Sequence, residues 1–286
     1  MRADETEFSK DPVFGFSTSK LVDYVAEKSS RTGFHVPLSI VRGDIENLVK
    51  TFCEVPRDSV ILPDAVEDSD IERVAQAIEI LQRRGFPIVV RCAAPLAALL
   101  AGVKSTGMIE GPLVNGPARA LIIAGSHTDG ASKQLAELAH EWGGAIVIET
   151  TKALKDPREA AHALVQQLRS SVDDETVVTI SSERIRKADH GTLEHGDKVM
   201  KSLIEVVREI YQDFNVIIAK GGITSAEVAR DGVGAKKGWV LGQILPGISV
   251  WKILDADGRS FLYVVVPGNV GNADTLLNVL RIIGIY

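Results

Sequence analysis

Only two cysteines occur in the 286 residues, Cys53 and Cys92, and they form neither a C-x-x-C pair nor a set with a nearby histidine at ligand spacing. A disulfide framework is therefore excluded, and a reduced compartment is expected. Aromatic residues make up 5% of the chain, and no apolar run approaches the roughly 18 residues of a membrane span. The opening Met1-Arg-Ala-Asp-Glu-Thr-Glu lacks the apolar stretch of a secretory signal, so a soluble, cytoplasmic protein is expected. A basic field is missing too. The net charge is -6, and Lys and Arg are scattered among acids, which argues against nucleic acid as a partner. There is no low-complexity tract and no internal repeat. Neither G-x-x-x-x-G-K-[ST] nor G-x-G-x-x-G after a strand is present, so P-loop enzymes and standard dinucleotide binders are not supported. His127 beside Ser126 is not framed by a G-x-S-x-G elbow, which removes serine hydrolase chemistry. Asp189, His190, Glu194, His195 and Asp197 match no firm zinc spacing and read as a polar, solvated segment.

What is present is an alternation of short apolar runs and helical periodicity. Val36 to Val41, Ser59 to Leu62 and Pro87 to Val90 read as strands. Helices are expected from about Ser19, over Ile71 to Arg84 and over Pro95 to Val103. The Gly- and Pro-dense stretch 105–117 marks a domain break, giving domains 1–110 and 111–286. Beyond it, strands are expected at Ala120 to Ala124, Ala145 to Ile148, Thr176 to Ile180 and Val216 to Ala219. Helices over Ser132 to Trp142 and Glu159 to Arg169 lie between them, followed by one with Val199, Leu203, Val206, Val207 and Ile210 on a single face. A hairpin of Ser249 to Leu254 with Phe261 to Val266, then a helix from about Ala273, close the chain. The expected fold is α/β: two domains with mostly parallel sheets covered by helices, the second carrying an added antiparallel hairpin.

In open α/β sheets ligands bind beyond the carboxyl ends of strands, where loops enter helices and expose N–H groups. Three junctions here carry glycines or hydroxyls. Ala124-Gly-Ser-His-Thr-Asp-Gly130 offers Ser126 and Thr128 to a ribose or phosphate oxygen, or else Thr128 or Asp129 simply caps a helix. Ala219-Lys-Gly-Gly-Ile-Thr-Ser225 brings Gly221, Gly222, Ile223 and Thr224 between an apolar strand and a helix, with Thr224 and Glu227 at capping-box spacing. Val266-Pro-Gly-Asn-Val-Gly271 places Gly268, Asn269 and Gly271 before the last helix. Lys236 and Lys237, in a glycine-dense stretch leading to Pro246-Gly247, read as solvated.

In order and spacing these junctions resemble the nucleotide-binding domain of the four-carbon acid sugar kinases, which phosphorylate threonate, erythronate or 3-oxo-tetronate with ATP. Gly125-Ser126 with Gln134 is similar to that family's Gly-Ser followed by Thr and Gln, with Ala131 at the Thr. Gly221-Gly222-Ile223-Thr224-Ser225 is similar to its Gly-Gly-acidic-Thr-Ser, Pro246-Gly247 to its Pro-Gly, and Gly268-Asn269-Val270-Gly271 to its Gly-Asn-Phe-Gly. Two departures stand out. The family's last loop commonly reads Lys-Ser-Gly-Asn where this chain has Val266-Pro267-Gly268-Asn269, and the Asp-Asp-x-Thr-Gly-Ala motif tied to the acid substrate and catalytic aspartate is not among these residues. Asp11-Pro-Val-Phe-Gly15 resembles a segment from inside the family's first domain.

The resemblance implies a nucleotide site on Ser126, Gly221, Gly222, Ile223, Thr224, Gly247, Gly268, Asn269 and Gly271. It implies ATP with Mg²⁺ as cofactor, a sugar acid as substrate, and either a homo-oligomer or a partner chain completing the acid site. The first domain is then a remnant of a sugar-acid-binding domain. The alternative is a nucleotide-binding subunit or partner module without turnover.

Overall fold

The computed structural model describes all residues except 12, 172–175 and 185–192. It divides into two compact units, Met1–Thr106 and Gly107–Tyr286.

In the first unit, short 3₁₀ turns at Ala3–Glu5 and Glu7–Lys10 precede α1 (Leu21–Lys28), β1 (Gly33–Val36), α2 (Leu38–Val41), α3 (Ile45–Glu54), β2 (Val60–Pro63), α4 (Asp68–Arg83) and α5 (Ala94–Leu100). The strands β1 and β2 pair in parallel from Gly33 opposite Val60 to Val36 opposite Pro63. Helix α3 starts where the Asp44 carboxylate accepts the N–H groups of Glu46 and Asn47. Its Leu48, Val49 and Phe52 meet Val74, Ala77, Ile78 and Leu81 of α4, each set recurring at the three- and four-residue spacing of a helix face.

Two expected strands are corrected here. Val36 to Val41 is not one strand: Pro37 removes a ladder donor, and Leu38–Val41 turns into α2. Pro87 to Val90 keeps a two-residue alternation, with Ile88 and Val90 packed on the core and Val89 almost fully exposed. It belongs to neither strand of the unit's ladder, which pairs only β1 with β2.

The second unit runs β3 (Ala120–Ala124), α6 (Asp129–Trp142), β4 (Ile146–Ile148), α7 (Thr150–Lys155), α8 (Pro157–Ser171), β5 (Val177–Ser182), α9 (Leu193–Ile210), β6 (Val216–Lys220), α10 (Gly222–Glu227), β7 (Gly238–Leu245), β8 (Ile248–Leu254), β9 (Ser260–Val266) and α11 (Thr275–Ile283). A π-helical turn, Val228–Gly232, extends α10. The strands form a seven-stranded sheet in the order β4-β5-β3-β6-β9-β8-β7. The β4-β5-β3-β6-β9 part is parallel, and β8 and β7 add on antiparallel.

Strand β7 lies in the glycine-dense stretch where no strand was expected. Its glycines blur the strand pattern, yet Gly242 is where Ile109 packs onto the backbone, and two register irregularities bend the strand. Because β3, β5, β6 and β9 are covered on both sides, they read as continuous apolar runs. Leu121, Ile123, Ile180, Ile217 and Tyr263 face a core shared with α8 and α9, where Leu203, Val206, Val207 and Ile210 are buried. Ala120, Ile122, Val216, Ile218 and Val264 face the opposite core, under α6 and α11.

Candidate functional site

The register sets four strand ends in one row. Ala124 pairs with Ser181 on one side and Lys220 on the other, and Lys220 pairs with Val266. The loops that begin at Gly125, Gly221 and Pro267 therefore leave three adjacent strands side by side. They part to opposite faces: those after β3 and β9 enter α6 and α11, whose residues line one core, and the loop after β6 enters α10, whose continuation buries Val228 in the other. A sheet opens a crevice at its carboxyl edge where neighbouring connections separate in this way.

At these strand ends the backbones come very close. A Cβ on Gly125 would stand 2.4 Å from Thr224 Oγ1, so only glycine fits there. Gly221 has φ +115°, a conformation that favours glycine, and a Cβ on it would lie 3.4 Å from the Ser126 Cβ. Ser126 Oγ also sits 3.1 Å from where a Cβ of Gly268 would be. Ser126, Gly221, Thr224 and Gly268 are thus brought together from three loops. Gly222 and Ile223 are exposed, a Cβ on Gly222 would meet open space, and as the first residues of α10 they have N–H groups with no partner within the helix. Asn269 and Gly271 are exposed along the third loop, and Gly271 turns at φ +90° against Thr275. Gly247 is on the β7–β8 turn, where a Cβ would meet the Val270 side chain at 3.3 Å.

The loops are tied by hydrogen bonds. Thr128 caps α6 by accepting the Ala131 N–H at 3.2 Å, and its hydroxyl donates to the Gly268 carbonyl at 3.0 Å. Ser126 Oγ lies 3.3 Å from Thr128 Oγ1. Gln134 donates to the Val270 carbonyl at 3.1 Å. The fully buried Lys220 ammonium donates to the carbonyls of Pro267 and Val270 at 2.8 and 3.2 Å. Burial with no acid beside it pushes the Lys220 pKa down to about 8.

The expected capping box on Thr224 is not formed. The helix begins one turn earlier, with Gly221 at its N-cap, because β6 runs into α10 without a linker. The nearby hydroxyl used instead is that of Ser225, which donates toward the carbonyls of Ala219 and Gly221 at 3.0 and 2.7 Å.

Lys236 and Lys237 are exposed, and Lys237 lies over the Trp239 ring. In the segment weighed above as a metal site, Glu194 pairs with Lys198 at 3.2 Å, while Asp189 and His190 lie outside the described residues. Sequence reasoning missed Lys220, although a lysine ending an otherwise apolar strand just before Gly-Gly is a visible signal.

The nucleotide-binding C-terminal domain family matches residues 121–276, and the sugar-binding N-terminal domain family matches residues 1–100. No curated protein matches the chain. Among solved structures, Haemophilus influenzae protein HI1011, of the DUF1537 family, is similar over 98% of this chain and 68% of its own, at 16% identity and a TM-score of 0.57. A putative tRNA synthase from Salmonella typhimurium LT2 is similar over 97% of this chain and 66% of its own, at 16% identity and a TM-score of 0.65. A DUF1537 protein from Bordetella bronchiseptica, described as a domain-swapped dimer with bound citrate, is similar over 98% of this chain and 64% of its own, at 19% identity and a TM-score of 0.50. At these identities the likeness is one of fold, and the chain spans about two thirds of the length of each.

Proposed function

The chain belongs to the four-carbon acid sugar kinase family, and on that premise we propose that the crevice of its second unit binds ATP for phosphoryl transfer to a threonate-, erythronate- or 3-oxo-tetronate-type acid. The observation that carries this reading is the meeting of Ser126, Gly221, Thr224 and Gly268 at the carboxyl ends of three adjacent strands. The N–H groups of Gly222 and Ile223, at the exposed start of α10, suit phosphate oxygens, and the Ser126 and Thr224 hydroxyls suit phosphate or ribose. Lys220, Gln134 and Thr128 hold the third loop against the first two, which fixes the donors before a ligand arrives. ATP supplies the transferable phosphoryl group, and what the residues contribute is position.

Among the described residues no three His, Cys, Asp or Glu side chains cluster at metal-binding distance. Mg²⁺ would accordingly be carried mainly by the nucleotide phosphates and water. No described helix is long and apolar enough to cross a membrane. The same reading expects the protein in the cytoplasm, with its nucleotide supply, and as an oligomer.

A second reading is a nucleotide-binding subunit without turnover of its own. Phosphate transfer from ATP to threonate or erythronate by the isolated chain separates the two.

Nucleotide binding has its own test. Ligand at a hundred times its Kd is expected to stabilise the native state by about 2.7 kcal/mol, read as a rise in Tm with ATP or ADP. G222L, whose side chain enters open space and leaves the packing intact, should melt like the wild type alone and show no rise. Absence of any rise in the wild type at millimolar nucleotide would refute the site.

A further inference from the structure

The three loops, 125–130, 221–227 and 267–274, contain no lysine or arginine. The nearby Lys220 ammonium is directed at two carbonyls. A nucleotide triphosphate bound there would find N–H groups and hydroxyls but no cation from the loops themselves.

Arg184 lies two residues beyond β5, whose Ser181 is the register partner of Ala124 at the mouth of the first loop. Its Nε and Nη2 donate to Ser132 Oγ at 3.2 and 3.0 Å, so one edge of the guanidinium is anchored on the first turn of α6. Nη1 is buried and has no hydrogen-bond partner among the described residues. Among the described residues no acid pairs with the group, and burial lowers its pKa. Beside it, Ser181 and Ser182 are buried with hydroxyl oxygens that also lack partners. Ser132 Oγ donates to the Thr128 carbonyl at 3.3 Å, and Thr128 joins Ser126 and Gly268. The anchored cation is thus linked by hydrogen bonds to two of the three loops.

A buried guanidinium N–H without an acceptor is costly, and a planar fork with one edge held and the remaining N–H unsatisfied is suited to a phosphate oxygen. We propose that Arg184 is the cation of the nucleotide site, its unsatisfied Nη1 taking a terminal phosphate of the bound nucleoside polyphosphate. This rests on the nucleotide reading above.

Affinities of wild type, R184M and R184K for ATP, ADP and adenosine, by calorimetry, test it. R184M is expected to bind ATP about tenfold or more weakly while adenosine affinity is unchanged. R184K, which keeps the charge and loses the fork, should fall between. The wild-type preference for ATP over adenosine should shrink with added salt, and that measurement stands even where a variant folds poorly. Equal losses for ATP and adenosine in R184M, or none, would show that Arg184 only braces α6. A wild type that binds none of the three would remove the nucleotide site itself, and this proposal with it.

Discussion

In the first unit, the buried carboxylate of Asp70 receives Arg42 Nε and Nη2 at 2.7 and 3.0 Å and the N–H groups of Val66 and Glu67 at 2.9 and 3.0 Å. In the second unit, Lys220 is buried and Arg184 partly so, with no carboxylate beside either among the described residues. The Arg42 guanidinium, followed by the two N–H groups, holds the Asp70 carboxyl well below the usual carboxylate range, whereas burial pulls Lys220 down to about 8. A charge whose partners lie within the fold serves the fold. A buried cation answered only by carbonyls and a hydroxyl costs stability, and such a cost is commonly met where a ligand binds. On the proposed reading, the difference separates a structural network from a binding one.

That comparison can be broken most forcefully at Asp70. Asp70→Ala strands the Val66 and Glu67 donors and the Arg42 fork, and the first unit is expected to lose its cooperative transition in a thermal or urea melt. In the wild type the folded-state pKa of Asp70 is depressed, so its contribution is present above the unfolded value near 4 and lost as pH falls below it. An Asp70→Ala protein as stable as wild type at pH 7 would reduce the network to ornament.

Lys220 carries the opposite sign. Its folded pKa of about 8 lies below the ordinary value near 10.4. Below pH 8 both states hold the proton, and the buried ammonium exerts its full cost. Between 8 and about 10.5 the unfolded chain holds a proton the folded chain has released, so stability should rise with pH by up to about 3 kcal/mol. Urea midpoints of wild type and Lys220→Met across that window should diverge in the wild type's favour as pH rises. Parallel curves would mean that the ammonium is better solvated than its burial implies.

The smallest effect belongs to charges that neither unit buries. Glu79 and Arg83 pair across one turn of α4 at 3.3 Å while largely in water. Glu79→Gln should change stability by less than about 0.5 kcal/mol, a shift at the edge of what denaturant melts resolve.

Much of the second unit was legible because its strands are buried on both faces. Ala120 to Ala124 and Val216 to Ala219 appear as unbroken apolar runs, and the Leu203–Ile210 face shows its period directly. The misreadings occurred where a local pattern had two outcomes. Val36 to Val41 is apolar throughout yet splits at Pro37, Pro87 to Val90 alternates as a strand would yet joins no ladder, and β7 hides in glycines that packing against Ile109 requires. At the site, glycines and hydroxyls identified the three loops, while the capping box at Thr224 failed because the helix started at Gly221.

Local chemistry written along the chain therefore determined the α/β alternation, the three glycine-bearing strand ends and the family they point to. Only the tertiary structure decided that β3, β6 and β9 are neighbours, since strand order depends on which faces the crossovers cover. It also turned Lys220 onto the third loop and anchored Arg184 on α6, because burial and the lack of an acid partner arise from residues far apart in sequence.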